Sequence, residues 1–416
     1  MSSSSGPYPI RTIQPPEVPA FHEVNHIGFN SAWPVEPEVE RATRLLEVDR
    51  SLAAFDGPLM IGTTTTLPLR MTVPGASLPV AGVSDVSVLP SHRRRGVLSA
   101  LMRTQLEELR AGGETVAALW ASEAVIYGRF GYGPAARQLD FTAVRGEVRV
   151  RDDAPRDPAL RVRIADPATA RPEVAKVFDA TLAERPGRFA RGEALWELAL
   201  LYDPPYRREG AAPLRCVIVE DESGPRGYAL VSVHGTWTVE NLPDGRLRVR
   251  DMAALDTAAY VAVWEQVLSW DLVSTVTIGH RPPDDPLLHL VTDPRRLRAT
   301  SSDNLWVRLV DVPAAFAARR YAVPVDAVIE VDDPVCPWNA GRYRLRGGAA
   351  GAECSPTSAP ADVRADAGAL GAAYLGGTTL MSYGPTGRVT ELRPGTLAPL
   401  SAGLRWSPEP CCPTIF

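Results

Sequence analysis

The chain has 416 residues, a formal net charge of −5 and an apolar fraction of 45%. It is too long for one ordinary core, it has the composition of a globular protein, and its acidic balance argues against a nucleic-acid partner while suiting polycationic substrates. No stretch approaches the roughly 20 consecutive apolar residues of a membrane span, so no membrane partner is expected. The first twenty residues are rich in Ser and Pro without an apolar core, and read as a flexible lead, not a signal peptide. Cys216, Cys336, Cys354, Cys411 and Cys412 are odd in number and lack metal-ligand spacing. They read as free thiols of a reducing, cytoplasmic compartment, with no metal site. Lys176 is the only lysine, which reflects the coding bias of a GC-rich genome.

In chain order, β-rich runs at 51–55, 59–65 and 66–73 are punctuated by Asp56-Gly57 and Pro74-Gly75 turns. A strand over 80–89 then empties into His92-Arg93-Arg94-Arg95-Gly96. From Val97, Leu98, Leu101, Met102, Gln105, Leu106 and Leu109 fall on one stripe, which predicts an amphipathic helix to Arg110, ended by Gly112-Gly113. A buried strand is expected at 115–120, and Ser122 is the candidate N-cap of a short helix. Strand, basic loop, helix, strand is a βαβ-type unit whose ligand site lies at the strand ends. Its loop offers backbone N–H groups, a helix N-terminus and arginine forks to an anion. The same residues also suit a solvated basic turn.

A strand at 138–144 leads into a charged linker at 145–157. A second region then repeats the order of elements: strands at 161–165, 215–220, 226–233 and 247–253, and helices at 172–185, 192–202 and 258–270. Its strand–helix junction at 253–257 has no glycine and no Arg-x-x-Gly, so this region is not expected to hold the anion. A third, mixed region has strands at 305–311, 325–331 and 342–346 and a helix at 368–375.

Certain segments go beyond pattern. His92-Arg93-Arg94-Arg95-Gly96, the run Ala121-Ser122-Glu123-Ala124-Val125-Ile126-Tyr127-Gly128-Arg129-Phe130-Gly131-Tyr132-Gly133-Pro134, the blocks starting at Leu67, Ile278, Asp285, Leu305 and Asp311, and the final Phe416 closely resemble the enhanced intracellular survival (Eis) family. These are bacterial aminoglycoside N-acetyltransferases of the GNAT superfamily, which hold coenzyme A with Arg-x-x-Gly at a strand–helix junction. The resemblance implies an α+β fold of two GNAT-type domains, the second lacking a CoA loop, plus a C-terminal sterol-carrier-like α/β domain. The expected bounds are 1–133 for the acetyl-CoA domain, 147–293 for the degenerate one and 294–416 for the third. The strand at 134–146 is expected to join the third domain's sheet, and the C-terminus to enter the active site. The family assembly is a homohexamer, a dimer of trimers.

Acetyl transfer from a thioester to an amine needs a proton acceptor for the amine, a donor for the developing oxyanion and an acid for the leaving thiolate. By resemblance the acid is Tyr127, which also fits a core tyrosine, and the acceptor is the C-terminal carboxylate of Phe416. The backbone of Val86, Ser87 and Val88 would pair with the pantetheine amides, with Val88 N–H as the oxyanion donor. Arg93, Arg94, Arg95, Gly96, Val97 and Leu98 would hold the pyrophosphate, and Ser122 would lie near the thioester. Phe29, Trp33, Glu36, Asp85 and Asp285 are candidates for the amine pocket. The family often has an acid before the final Phe where this chain has Ile415, which bears on substrate range more than on chemistry. The expected activity is acetylation of aminoglycosides or similar polyamines by direct attack. Acetylation of protein lysine or a biosynthetic amine, or non-catalytic carriage of an apolar ligand, are the alternatives.

Overall fold

The computed structural model describes residues 8–31 and 36–416. The chain forms two compact units. Met1–Ala136, Asn304–Pro410 and Thr414–Phe416 make the first, and Arg137–Asp303 with Cys411–Pro413 the second.

The first unit opens with β1 (Ile10–Thr12), α1 (Val18–Gly28), α2 (Glu36–Leu45), β2 (Ser51–Asp56), β3 (Leu59–Val73) and β4 (Ala76–Val88). It continues with α3 (Val97–Ala111), β5 (Val116–Trp120), α4 (Ala124–Tyr127) and β6 (Gly133–Pro134). The two runs expected at 59–65 and 66–73 are one strand. The threonines at its centre, Thr63 to Thr66, are buried, which β-branched side chains suit. Gln105 of α3 meets two of their hydroxyls, its Nε2 lying 2.9 Å from both Thr64 Oγ1 and Thr66 Oγ1, while Thr63 donates to Asn25 Oδ1 at 2.9 Å and Thr65 Oγ1 lies 2.8 Å from Ser51 Oγ. The buried face of α3 is Val97, Leu101, Met102, Gln105, Leu106 and Leu109, close to the predicted stripe. Leu98 is only partly buried.

The strand Leu305–Leu309 does not belong to the third region's sheet. It inserts between β5 and β6, pairing Leu305 with Trp120 and Leu309 with Val116, and completes a sheet of order β1-β2-β3-β4-β5-(305–309)-β6. All five of its residues are buried. Arg308 among them donates from Nη2 to both carboxylate oxygens of buried Asp333, each at 2.7 Å. The third region keeps a five-stranded sheet of its own, with Val325–Asp332 at its centre. Its helix Ala367–Ala373 presses backbone to backbone on the first sheet. A Cβ on Gly371 would lie 2.3 Å from the Val307 carbonyl, and one on Gly133 would lie 2.0 Å from the Gly368 carbonyl. Only glycine permits that approach.

The second unit holds a seven-stranded sheet. The strand Arg137–Val144 lies in it, paired with Val273–Arg281 on one side and Thr300–Asp303 on the other. This corrects the expectation that 134–146 joins the third domain: Phe141 and Ala143 pack into the second unit's core with Val276 and Ile278. The helix Pro167–Thr181 begins five residues earlier than the pattern at 172 suggests. Asp166 caps it through Ala168 N–H at 2.9 Å, and Pro167 stands at the first turn. The segment expected as a helix at 192–202 is largely a π-helical turn, Leu195–Leu200. Among the described residues no helix is long and apolar enough to cross a membrane.

Candidate active site

β4 pairs with β3 along its length but meets β5 only at Ala81↔Ala117 and Gly82↔Ala118. Beyond Gly82 the two parallel strands part, and β4 runs on to Val88 without β5. A bulge marks the parting. Thr63 pairs with Ser87 and Thr65 with Ser84, so Asp85 and Val86 together face Thr64. Asp85 adopts a left-handed φ of 52°, a conformation costing roughly 1–2 kcal/mol for most side chains but visited by Asp and Asn. Thr63 Oγ1 lies 2.9 Å from the Asp85 carbonyl and holds the kink.

After β4, Leu89 N–H donates to the Ile61 carbonyl at 2.9 Å and Pro90–His92 makes one tight turn. Buried His92 fixes that turn, with Nδ1 at 2.9 Å from Ser91 Oγ and its ring edge-on to Tyr8. Arg94 and Gly96 are both left-handed, at φ 62° and 85°, so the loop backbone curves into a concave nest. No side chain caps the start of α3. Its first N–H groups point at the nest, where the helix dipole favours an anion. A Cβ on Gly96 would meet nothing within 4 Å, so dihedral angle and not space requires glycine here.

A cleft of about 650 Å³ runs from this loop along the free edge of β4. Val86, Ser87, Val88, Arg93, Arg94, Gly96, Val97 and Leu98 line one side, and Ser122, Glu123, Ile126 and Tyr127 the other. Arg93 is partly committed: its Nη2 donates to the Gly28 carbonyl at 3.0 Å, tying α1 to the loop. Arg95 is not on the wall; its Nη1 lies 3.5 Å from Tyr8 Oη. Tyr127 is 4% exposed and packs edge-on to Tyr132 at 6.1 Å. Burial pushes its phenol above the ordinary range, and a hydrogen bond with the Ser122 hydroxyl pulls it partly back. The group is therefore protonated at neutral pH. Ser122 is not the N-cap of α4. That place is Glu123's, with no cap bond, and the Ser122 hydroxyl is engaged by Tyr127.

The chain end lies where the strands part. Trp120 Nε1, at the tip of β5, donates to the Thr414 carbonyl at 3.1 Å. A Cβ on Gly82 would sit 3.2 Å from Phe416 Cδ2, so the last ring packs over the last β4 residue that still pairs with β5. Neither Gly82 nor Trp120 had a sequence signal pointing to this place.

The amine-pocket candidates separate. Phe29 lines the cleft and is 49% exposed. Trp33 lies outside the described residues, and Glu36 is exposed at the start of α2. Asp85 is half-buried at the bulge, its carboxyl pushed up to about 6 by burial against the pull of Arg41. Asp285 is corrected. It is fully buried inside the second unit, accepting from Tyr260 Oη at 2.5 Å, Arg281 Nε at 2.7 Å and Leu287 N–H at 2.9 Å. Its lone pairs are used, and it serves packing.

Within the second unit the strand–helix junction is occupied by a side chain of that unit. Asp256 caps the helix Thr257–Leu268, accepting from Ala259 N–H at 2.9 Å, and pairs with Arg226. A carboxylate of the chain itself stands where an anion would bind.

Comparison with known families divides the chain into three domains. Acetyltransferase (GNAT) domain models match residues 9–135 and 187–309, and a sterol carrier protein domain model matches 312–413. Fold and site define an acyl-CoA-dependent N-acetyltransferase of the GNAT class. An uncharacterised N-acetyltransferase of Streptomyces avermitilis is 42% identical over 390 residues, covering 94% of this chain and 95% of its own. N-acetyltransferase Eis of Mycobacterium tuberculosis is 37% identical over 82% of this chain and 83% of its own. The crystal structure of Eis1 from Mycobacterium abscessus superposes with a TM-score of 0.84 at 33% identity, covering 98% of this chain and all of that one. The chain belongs to the Eis family of GNAT N-acetyltransferases.

Proposed function

We propose that the protein moves acetyl from acetyl-CoA to an amino group of an aminoglycoside or similar polyamine by direct attack. The observation that carries this reading is the parting of β4 and β5 at Gly82: an uncapped helix end stands at one limit of the opening, Tyr127 in its wall and Phe416 at its apex. In this reading the nest at Arg94 to Leu98 receives the pyrophosphate, and the edge of Val86 to Val88 pairs with the pantetheine amides as an added strand. The Phe416 carboxylate takes a proton from the amine, directly or through a water. The amine nitrogen bonds to the thioester carbon, the carbon–sulfur bond breaks, and the Tyr127 phenol protonates the leaving thiolate. Ser122 holds that phenol in place. Family membership supports the amine class.

The test is thiol release from acetyl-CoA with aminoglycosides, linear polyamines and lysine peptides. Turnover of the first two classes is expected. Turnover of lysine peptides alone would move the activity to protein, and no turnover with any amine would favour an apolar-ligand carrier.

A further inference from the structure

We propose that Trp120 is a positioning residue, whose indole N–H holds the last three residues of the chain against the sheet so that the Phe416 carboxylate stands at one fixed place. This rests on the acetyl-transfer reading above, in which that carboxylate takes a proton from the amine.

The hydrogen bond is the first support. Trp120 Nε1 donates to the Thr414 carbonyl at 3.1 Å, and Thr414 is 4% exposed. A chain terminus is poorly ordered unless something ties it down. Phenylalanine at position 120 would fill much of the same space and offer no donor.

Register is the second support. Gly82 pairs with Ala118 at the last point where β4 and β5 meet. Side chains two apart on a strand share a face, so Trp120 lies on the face of Ala118 and of its partner Gly82. The Phe416 ring packs over Gly82, its Cδ2 being 3.2 Å from the place a Cβ would take. The tripeptide is therefore held at both ends, by one residue from each of the two parted strands. Ile415 between the two holds is 56% exposed.

The third support is the neighbour of Trp120. Ser122, two residues on, is hydrogen-bonded with the Tyr127 phenol. One short segment, the exit of β5, thus grips the chain end through residue 120 and the phenol through residue 122. In the proposed reaction these are the proton acceptor and the proton donor. Their spacing is set by a strand end of the sheet and not by the tail itself. Precision of this kind matters, because a misplacement of about 1 Å can cost about 10²-fold in rate.

The experiment compares wild type with Trp120→Phe and with a variant carrying benzothienylalanine at position 120, which keeps the shape of the indole and lacks its N–H. A thermal melt and acetyl-CoA binding check folding. In both variants kcat should fall by about 10- to 100-fold, with KM for acetyl-CoA unchanged. Carboxypeptidase A should release phenylalanine from the folded variants faster than from wild type. The replacements are then made in a chain extended beyond Phe416, which has no carboxylate at that place. There they should change the residual rate by less than about twofold, since changes that act through one group do not add. A wild-type kcat in both variants would overturn the role of Trp120. So would an unchanged release of phenylalanine, or a loss that multiplies in full in the extended chain. Full activity of the extended chain with Trp120 intact would instead remove the carboxylate from the reaction, so the two failures are told apart.

Discussion

The indole N–H of Trp120 donates to the carbonyl of Thr414 at 3.1 Å, and this bond fixes the chain two residues before Phe416. In the proposed mechanism the Phe416 carboxylate acts at one place. Extending the chain beyond Phe416 converts that carboxylate to an amide, and deleting Phe416 moves it to Ile415. Both should nearly abolish thiol release while acetyl-CoA binding and the melting temperature persist. An N-terminal extension should leave the rate unchanged. Full activity with a C-terminal tag would remove the carboxylate from the mechanism.

Tyr127→Phe deletes the proton and keeps the ring that packs on Tyr132. We expect kcat to fall by about 10²-fold with both KM values held, the pattern of a lost general acid. Steady-state kinetics with both substrates varied decides it. A rate within about threefold of wild type would assign Tyr127 to packing.

The three arginines of the loop should not be equivalent. Arg94→Ala removes a cleft-lining charge from a left-handed position, and a charge-assisted contact of about 1.5–3 kcal/mol predicts an acetyl-CoA KM raised by roughly 10- to 100-fold. Arg95→Ala should change it little, because that side chain reaches toward Tyr8. Equal effects from the two would place the pyrophosphate elsewhere.

Asp85 should cost the protein stability. Its folded carboxyl lies above the ordinary 3.8, at about 6. Above that pH it is charged in both folded and unfolded chains, and only the folded one carries the desolvation penalty. As pH falls through 6 toward 3.8 the folded carboxyl protonates first and the penalty is relieved. Asp85→Asn should therefore melt higher than wild type in alkaline buffer, with the gap closing as the buffer is acidified. A gap that widens toward acid would contradict the assignment.

Asp285→Asn leaves Arg281 buried without its partner. Breaking such a pair typically costs about 3–5 kcal/mol, so the variant should unfold at clearly lower denaturant, while the amine KM of the surviving enzyme stays put. A selective rise in amine KM at wild-type stability would return Asp285 to the amine pocket.

The readable parts of the sequence were those where one local pattern meets one chemical need. The basic loop between β4 and α3, the apolar stripe of α3 and the short strand before Tyr127 all lie within one contiguous stretch. Asp166-Pro167, a cap followed by a first-turn proline, could also have placed the start of its helix. Strand membership was harder. The sequence marks 138–144 and 305–311 as strands, but nothing local says which sheet each completes, because that depends on partners more than a hundred residues away. The role of Asp285 was hidden for the same reason: an acid beside a proline looks exposed until Tyr260 and Arg281 are seen to close on it. Gly82 and Trp120 gain their meaning only from the chain end that packs on them.

The strand Leu305–Leu309 has a consequence for biosynthesis. A ribosome delivers β1 to β5 long before it delivers the neighbour of β5, and the whole of 137–303 emerges in between. Until then the buried residues Val116, Ala117, Ala118 and Leu119 present an open, apolar edge, the kind that recruits foreign strands. The unit that carries the candidate site is thus the last to close, though its sequence comes first, and an N-terminal fragment ending near residue 135 would be born with its sheet unfinished and prone to aggregate.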